Sequence, residues 1–434
     1  MSAFPSASTS SSAAVGVVRP TARRARWWRR AVLAMYCVTG LLAPLPPAGA
    51  AEFTMRASVL VTAADADPGQ LGAGLTTGAT PSADQESLRL MFDALAGETE
   101  WSLHLRTLRQ NLRGFPALNQ HSSALFRYRD LAGNWISTSD GINANRVGYE
   151  LDRALVRRRF GNLRLSLGRQ PVDWGEGRFW QPLNVFGAFA PVDLDTDYKP
   201  GIDAAVLDWY PSASSALTAA YAFAPQHDSP VPDSGAVHYQ RQVGEQSQLA
   251  VLAGRVIGKR VIGASFASEI SGMGWRIEAL HTDFGAGAKS ALFWIAGCEY
   301  RFAGGTTVSA EWHDNSRGAT SEGELAAVPT DLLLRYGLQQ QLGRRVLALA
   351  IERDLTPLMS LGYKVLASTL RDPEGNRAGS LLHQVSLVYS VSNESDLMLA
   401  LQTATGKSLS AAGLPRSEFG HLPLQLTLRW RSYF

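Results

Sequence analysis

The chain has 434 residues, 45% of them apolar and 18% charged, with 41 basic and 38 acidic side chains. Six of the 41 basic residues are arginines of the first fifty residues, so a chain without that segment carries 35 bases against 38 acids, near −3, and the basic balance is no argument for nucleic acid. No window approaches the roughly eighteen apolar residues of a membrane helix, and of the 2 cysteines only Cys298 lies beyond the first fifty residues, which leaves no intramolecular disulfide.

The chain opens with a stretch rich in serine and alanine, followed by RRARWWRR at 23–30, an apolar run at 31–43, and APLPPAGA at 43–50. Basic flank, short apolar core and small residues at Ala48 and Ala50 predict a secretory signal peptide over 1–50, cleaved before Ala51. The mature region, 51–434, is expected to form one domain.

From Ala51 onward, segments of about ten residues alternate in hydrophobicity between turn-forming residues, the signature of a transmembrane barrel. The predicted strands are 53–63, 84–95, 98–109, 144–156, 161–170, 201–211, 214–224, 237–243, 247–257, 260–270, 273–283, 289–302, 304–315, 344–354, 357–370, 380–391, 394–405 and 421–434. Short links alternate with long ones along this list, as they do when short periplasmic turns alternate with extracellular loops. That parity requires both 53–63 and 237–243 to be strands. The expected fold is therefore an all-β antiparallel transmembrane barrel of 18 strands, with 16 as the alternative and a soluble β-sandwich as the competing architecture. Leu163, Leu165 and Leu167 alternate with Arg164 and Ser166, and Leu397, Leu399 and Leu401 with Asp396 and Gln402, which assigns the apolar set to lipid and the polar set to the lumen. Arg153 falls on the apolar face in this register.

The final stretch, LPLQLTLRWRSYF at 422–434, places Leu424, Leu426, Leu428, Trp430 and Phe434 on one face and Gln425, Thr427, Arg429, Arg431 and Tyr433 on the other. It resembles the closing strand of bacterial outer-membrane β-barrels, departing only at Ser432. The resemblance implies that Trp430 and Phe434 form the signal read by the barrel-assembly machinery. It also implies an outer-membrane location, with outer-membrane lipid as surroundings.

Between two strands lies GRQPVDWGEGRFWQPLNVFGAFAPVDLDTDYKPG, residues 168–201. Exposed loops are usually polar, yet this one carries Trp174, Phe179, Trp180, Phe186 and Phe189, which need burial. Its natural burial site is the barrel interior, because a barrel this wide is not filled by wall side chains alone. The opening Gly168-Arg169-Gln170, with Trp174-Gly175, resembles a motif of porin-like outer-membrane proteins. In porins such a loop forms the constriction, which here would include Asp173, Trp174, Glu176, Arg178, Trp180, Asp193, Asp195 and Asp197. A solvated acidic loop, with or without a bound Ca²⁺, is the competing account of 192–199.

Lumen-facing positions are expected at Arg146, Glu150, Asp152, Arg164, Arg276, Glu278, Glu311, His313, Glu352, Lys364, Arg429 and Arg431. Signs are mixed along this series and show no concentrated ladder of bases, so sugars, amphipathic acids and small aromatic compounds all stay open as solutes. The 8 histidines are scattered without metal-ligand spacing, and no glycine-rich turn precedes a helix, so no cofactor, metal or catalytic site is assigned. An amphipathic stretch at 329–343 predicts a short helix in an outer loop. The function expected is a porin-type channel for passive diffusion of small polar or amphipathic solutes, with a homotrimer left open as the assembly. The alternative is a structural or export barrel working with periplasmic partners.

Overall fold

The computed structural model describes residues 50–73, 80–114, 125–128, 136–139, 143–226, 231–285, 287–335 and 338–434. The expected signal peptide, except for residue 50, lies outside them.

A single antiparallel sheet holds nineteen strands. They are β1 (Ala51–Asp65), β2 (Ser82–Ala96), β3 (Thr99–Arg113), β4 (Ile136–Ser139), β5 (Asn143–Phe160), β6 (Leu163–Gln170), β7 (Ile202–Ser212), β8 (Ser215–Ala222), β9 (Ser234–Val243), β10 (Ser247–Val256), β11 (Lys259–Ile270), β12 (Met273–Asp283), β13 (Ala291–Arg301), β14 (Thr306–Asn315), β15 (Arg345–Thr356), β16 (Met359–Arg371), β17 (Arg377–Ser390), β18 (Ser395–Thr405) and β19 (Leu424–Tyr433). Each pairs with its neighbour, and β1 pairs with both β2 and β19, so the sheet closes. The four-residue β4 only extends one edge of β5, which itself pairs with β3. The barrel proper has 18 strands, and the 16-strand alternative fails because β1 and β9 are full ladder members. β4 was not expected: its span lies in a stretch read as loop, too short and too polar to show a period.

With β1 paired to β19, each of the 18 wall strands has a neighbour on both sides, the condition for backbone polar groups to be satisfied across a bilayer. The last bonds of the seam join the two ends of the described chain, Met55 N–H to Phe434 C=O and Phe434 N–H to Met55 C=O, each at 2.9 Å.

Alternation sets the faces as the sequence implies. Leu397, Leu399 and Leu401 are exposed outward, as are Leu424, Leu426 and Leu428, while Thr427 and Arg429 are buried inside. Phe53, Phe92, Phe160, Trp209, Trp275, Tyr389, Trp430 and Phe434 stand outward toward the short-turn end, where an aromatic girdle meets headgroups. Ser432, the exception on the outer face, pairs its hydroxyl with Ser395 Oγ at 2.6 Å across β18 and β19. That bond removes the cost of a lone hydroxyl there.

Arg153 corrects the expected register. Opposite His104 and Leu105, β5 carries one extra residue: Leu151 pairs with Leu105 and Arg153 with His104, so Asp152 is bulged. The bulge turns Asp152 and Arg153 to the same side, and the Arg153 guanidinium sits over the Tyr198 ring, 5.7 Å from its centre, inside the barrel.

The expected helix at 329–343 is shorter than predicted. Helix α1 (Glu322–Leu325), a 3-10 turn (Val328–Thr330) and helix α2 (Leu332–Arg335) lie in this loop. The N–H groups of Leu338 and Gln339 both fold back onto Leu333 C=O and end the helix.

Candidate functional site

The segment between β6 and β7 leaves the wall at Gln170 and returns at Ile202. Two residues of its opening motif fix the departure. Gly168 has φ +116, and a Cβ there would lie 2.1 Å from Ala154 O, so only glycine fits. Arg169 then grips Asp203 on the returning strand with both prongs of its guanidinium, at 2.7 and 2.9 Å, and donates to Leu151 O at 2.7 Å. A bidentate arginine–carboxylate pair clamps the two ends of the loop together.

From there the loop runs once around the inner wall. Trp174 stacks on His238 of β9, ring centres 5.3 Å apart and planes within 9°. Glu176 accepts from Gln248 of β10 at 3.0 Å, and its N–H donates to Glu278 of β12 at 2.8 Å. Leu183 N–H donates to the other oxygen of the same carboxylate. On β14, Glu311 accepts the backbone N–H groups of Arg178 at 2.8 Å, Phe179 at 3.1 Å and Trp180 at 2.9 Å. Gly177 permits this turn, since a Cβ there would fall 1.7 Å from Trp180 O. Arg178 reaches Glu352 of β15 at 2.6 Å, and Trp180 packs on His313 at 4.9 Å between ring centres. Further on, Lys364 of β16 donates to Pro191 O, Gln384 of β17 to Val192 O, and Arg429 of β19 to Leu194 O. Arg56 of β1 holds Asp195 at 2.7 Å and Asp197 at 2.9 Å, while Arg431 and Tyr433 also bind Asp197. Tyr198 ends the circuit against Arg89, and Lys199 closes it on Asp173 at 3.0 Å.

Burial explains why the loop stays inside. Trp174, Phe179, Trp180 and Phe186 are buried against inward alanines and aliphatics, including Ala204, Ala222, Ile295, Val346 and Ala348. Small wall residues leave room for large loop residues. Each aromatic removed from water contributes about 1.5–3 kcal/mol.

Of the residues singled out from sequence, Asp195, Asp197, Arg178 and Trp180 all touch the wall, whereas Asp173 is exposed and joined to Lys199 and Asn184 within the loop. Asp193 accepts from Ala190 N–H at 2.7 Å. Asp195 and Asp197 share the Arg56 guanidinium while Asp193 turns back onto its own loop, so arginine, not a metal cation, lies between the paired carboxylates. On the wall, Arg164 pairs with Asp208 at 3.0 Å, Glu150 with Arg106 at 3.1 Å, and Arg276 stands 3.9 Å from Glu299; Arg146 lies on the inward face of β5.

Charges sort by sector, which the sequence did not reveal. Arg56, Arg89, Arg106, Arg153, Arg429 and Arg431 come from the adjacent strands β19, β1, β2, β3 and β5. Glu278, Glu299, Glu311 and Glu352 come from β12 to β15, a separate arc of the wall that begins four strands from β19. Three of the arginines surround one ring, with Arg89, Arg56 and Arg153 at 4.3, 5.5 and 5.7 Å from the centre of Tyr198. Bases isolated in sequence are gathered by ring closure, together with acids of the same sector. Five of the six arginines are paired with acids: Arg56 with Asp195 and Asp197, Arg89 with Asp152, Arg106 with Glu150, and Arg429 and Arg431 with Asp396.

On the loop, burial lowers the Lys199 ammonium to about 8 despite the opposing pull of Asp173. Burial disfavours the Asp197 carboxylate, but hydrogen bonds from Tyr433 and Arg431 outweigh it and hold the group below its ordinary range.

No family model matches the chain, and no curated protein matches it. Solved structures do. A BenF-like porin from Pseudomonas fluorescens Pf-5 superimposes with a TM-score of 0.56 at 11% identity, covering 88% of this chain and 98% of that one. Pseudomonas aeruginosa OccK2 (OpdF) in complex with glucuronate gives 0.54 at 13% identity, over 88% and 98% of the two chains. Pseudomonas aeruginosa OpdK with vanillate gives 0.52 at 14% identity, over 88% and 98%. Similarity at this level of identity is a statement about architecture: this chain has the fold of a porin-like outer-membrane β-barrel.

Proposed function

We propose that the protein is an outer-membrane channel of porin type, through which small solutes diffuse passively, and that small organic acids are the solute class its interior fits best. The observation that carries this reading is the arginine sector around Tyr198, with the glutamates of β12 to β15 on a separate arc of the wall. Such an arrangement sets a transverse field, steering a carboxylate to one side while the aromatic ring offers a face to its apolar body. Glucuronate and vanillate, bound in two of the similar porins, are both carboxylates. In this reading Asp173, Trp174, Glu176, Arg178, Trp180, Asp193, Asp195 and Asp197 belong to the constriction loop. The short turns and the end of β19 face the periplasm, and Trp430 with Phe434 serves as the assembly signal.

Reversal potentials of the refolded protein in planar bilayers under a salt gradient test it. Preference for chloride over potassium, reduced by millimolar benzoate or glucuronate occupying the pore, is expected. A channel indifferent to organic anions, or preferring cations, would overturn the solute assignment.

A further inference from the structure

Two arginines on the outer wall stand where like charges should not. Arg255 of β10 and Arg260 of β11 are direct cross-strand partners, both exposed and both facing away from the lumen. Like charges directly opposite each other are destabilising unless something anionic lies between them. The acids near this pair are Asp283 of β12, 3.6 Å from Arg260, and Asp233, which is engaged by Tyr221 at 2.6 Å; His281, Lys259 and Lys289 add no negative charge. Among the described residues Arg255 has no carboxylate partner.

Position matters as much as charge. One outward step toward the turn end lie Ala253 and Ile262, then Val251 and Ala264, then Leu249 and Phe266, an apolar band with Ile262 62% exposed. Past the arginines the chain turns within Ile257 and Gly258, the tightest link at the loop end. The pair therefore stands at the level where hydrocarbon gives way to headgroups, on the two strands that this short link joins. Beside Arg255 the next strand presents Gly235, which has no side chain, and below that notch lies an apolar concavity on the outer wall of about 330 Å³. Leu165, Ala205, Leu207, Ala219, Val237 and Ala253 line it.

We infer that Arg255 and Arg260 bind the phosphate of a phosphorylated lipid of the outer leaflet, with one of its acyl chains lying in the groove beneath Gly235. Two guanidinium forks converge on one anion, which turns a repulsive pair into a charge-assisted site. The groove supplies apolar surface at the same place, so the ligand is a lipid and not a free anion. The inference rests on the outer-membrane reading, which fixes the loop end as the outer face.

The test is native mass spectrometry of the refolded barrel in detergent, titrated with phosphatidic acid as the phosphomonoester lipid. The wild type should retain one more lipid than Arg255→Gln/Arg260→Gln, with at least a tenfold weaker apparent affinity in the variant. Ala253→Trp, which fills the groove and leaves both arginines, should lose the same lipid. Arg241→Gln, outward at the turn end, should not. Equal retention by wild type and double variant overturns the inference, as does full displacement of the lipid by millimolar inorganic phosphate, which would make the site a simple anion site. The two readings fail separately: a barrel that inserts and conducts but shows equal retention sinks only the lipid site. A protein that neither inserts nor conducts sinks the channel reading.

Discussion

Glu311 on β14 holds Trp180 inside the barrel by accepting its backbone N–H at 2.9 Å, with Arg178 and Phe179 N–H groups sharing the same carboxylate. One side chain thereby satisfies three backbone donors that the aromatic turn would otherwise bury unpaired. Glu278 plays the same part for Glu176 and Leu183. The path of the loop is set by wall carboxylates as much as by its aromatic residues.

Substitution Glu311→Ala removes the acceptor and leaves those N–H groups without a partner, at about 1–3 kcal/mol for each buried donor left unsatisfied. The expected result is an intact barrel with a detached loop. Single-channel traces should show larger and noisier conductance, while the heat-modifiable gel shift of the folded barrel stays. Unchanged current noise would contradict the anchoring role.

Arg89 and Arg153 differ in what they leave behind. Arg89 is paired with Asp152 inside the wall, so Arg89→Gln also exposes a buried carboxylate, whereas Arg153 lies over Tyr198. Each change subtracts one positive charge, so both should move the reversal potential toward cations. An unmoved reversal potential in either variant would contradict a field set by these arginines; after Arg89→Gln, Asp152 keeps Arg127 as its partner, 3.3 Å away.

Lys199 carries a pH dependence of definite sign. Its ammonium is brought by burial to about 8 from an ordinary 10.5, so the lumen loses one positive charge as pH rises through about 8. Anion preference should fall across that step, and Lys199→Met should remove it. The linked stability runs the other way: the unfolded chain keeps its proton until 10.5, so the folded loop gains stability between about 8 and 10.5. A selectivity profile flat from pH 7 to 9 would contradict the burial of this group.

Glu418, on the loop between β18 and β19, accepts from Leu342 N–H at 2.9 Å and from Gly343 N–H, clasping two outer loops. Burial raises its carboxyl to about 7 from 4.5. The unfolded form ionises first, so the clasp loses stability as pH rises from 4.5 to about 7. Amide exchange at Leu342 and Gly343, corrected for intrinsic rates, should show protection declining over that range in the wild type and level in Glu418→Gln.

Much of the fold is legible because a period of two survives in isolation: alternation and loop parity alone predict β1 and β9. The bulge at Asp152 was not legible, since one extra residue leaves no mark on composition and shifts the face of everything beyond it, Arg153 included. The aromatic residues of 168–201 announced that the loop must be buried. Which wall residues receive it could not be read, because Glu278 and Glu311 look like ordinary lumen acids until the N–H groups of the loop are placed on them. The arginine sector was hidden for a topological reason. Arg56 and Arg431 lie at opposite ends of the chain and become neighbours only when β1 meets β19.

The measurement that bears most directly on the central claim is single-channel recording of the refolded protein in a planar bilayer, with reversal potential under a salt gradient. A steady conductance with anion preference, weakened in Arg153→Gln, is the result expected of a loop-lined porin with a basic wall. A barrel that inserts and stays silent, or one whose selectivity ignores Arg153, would contradict it.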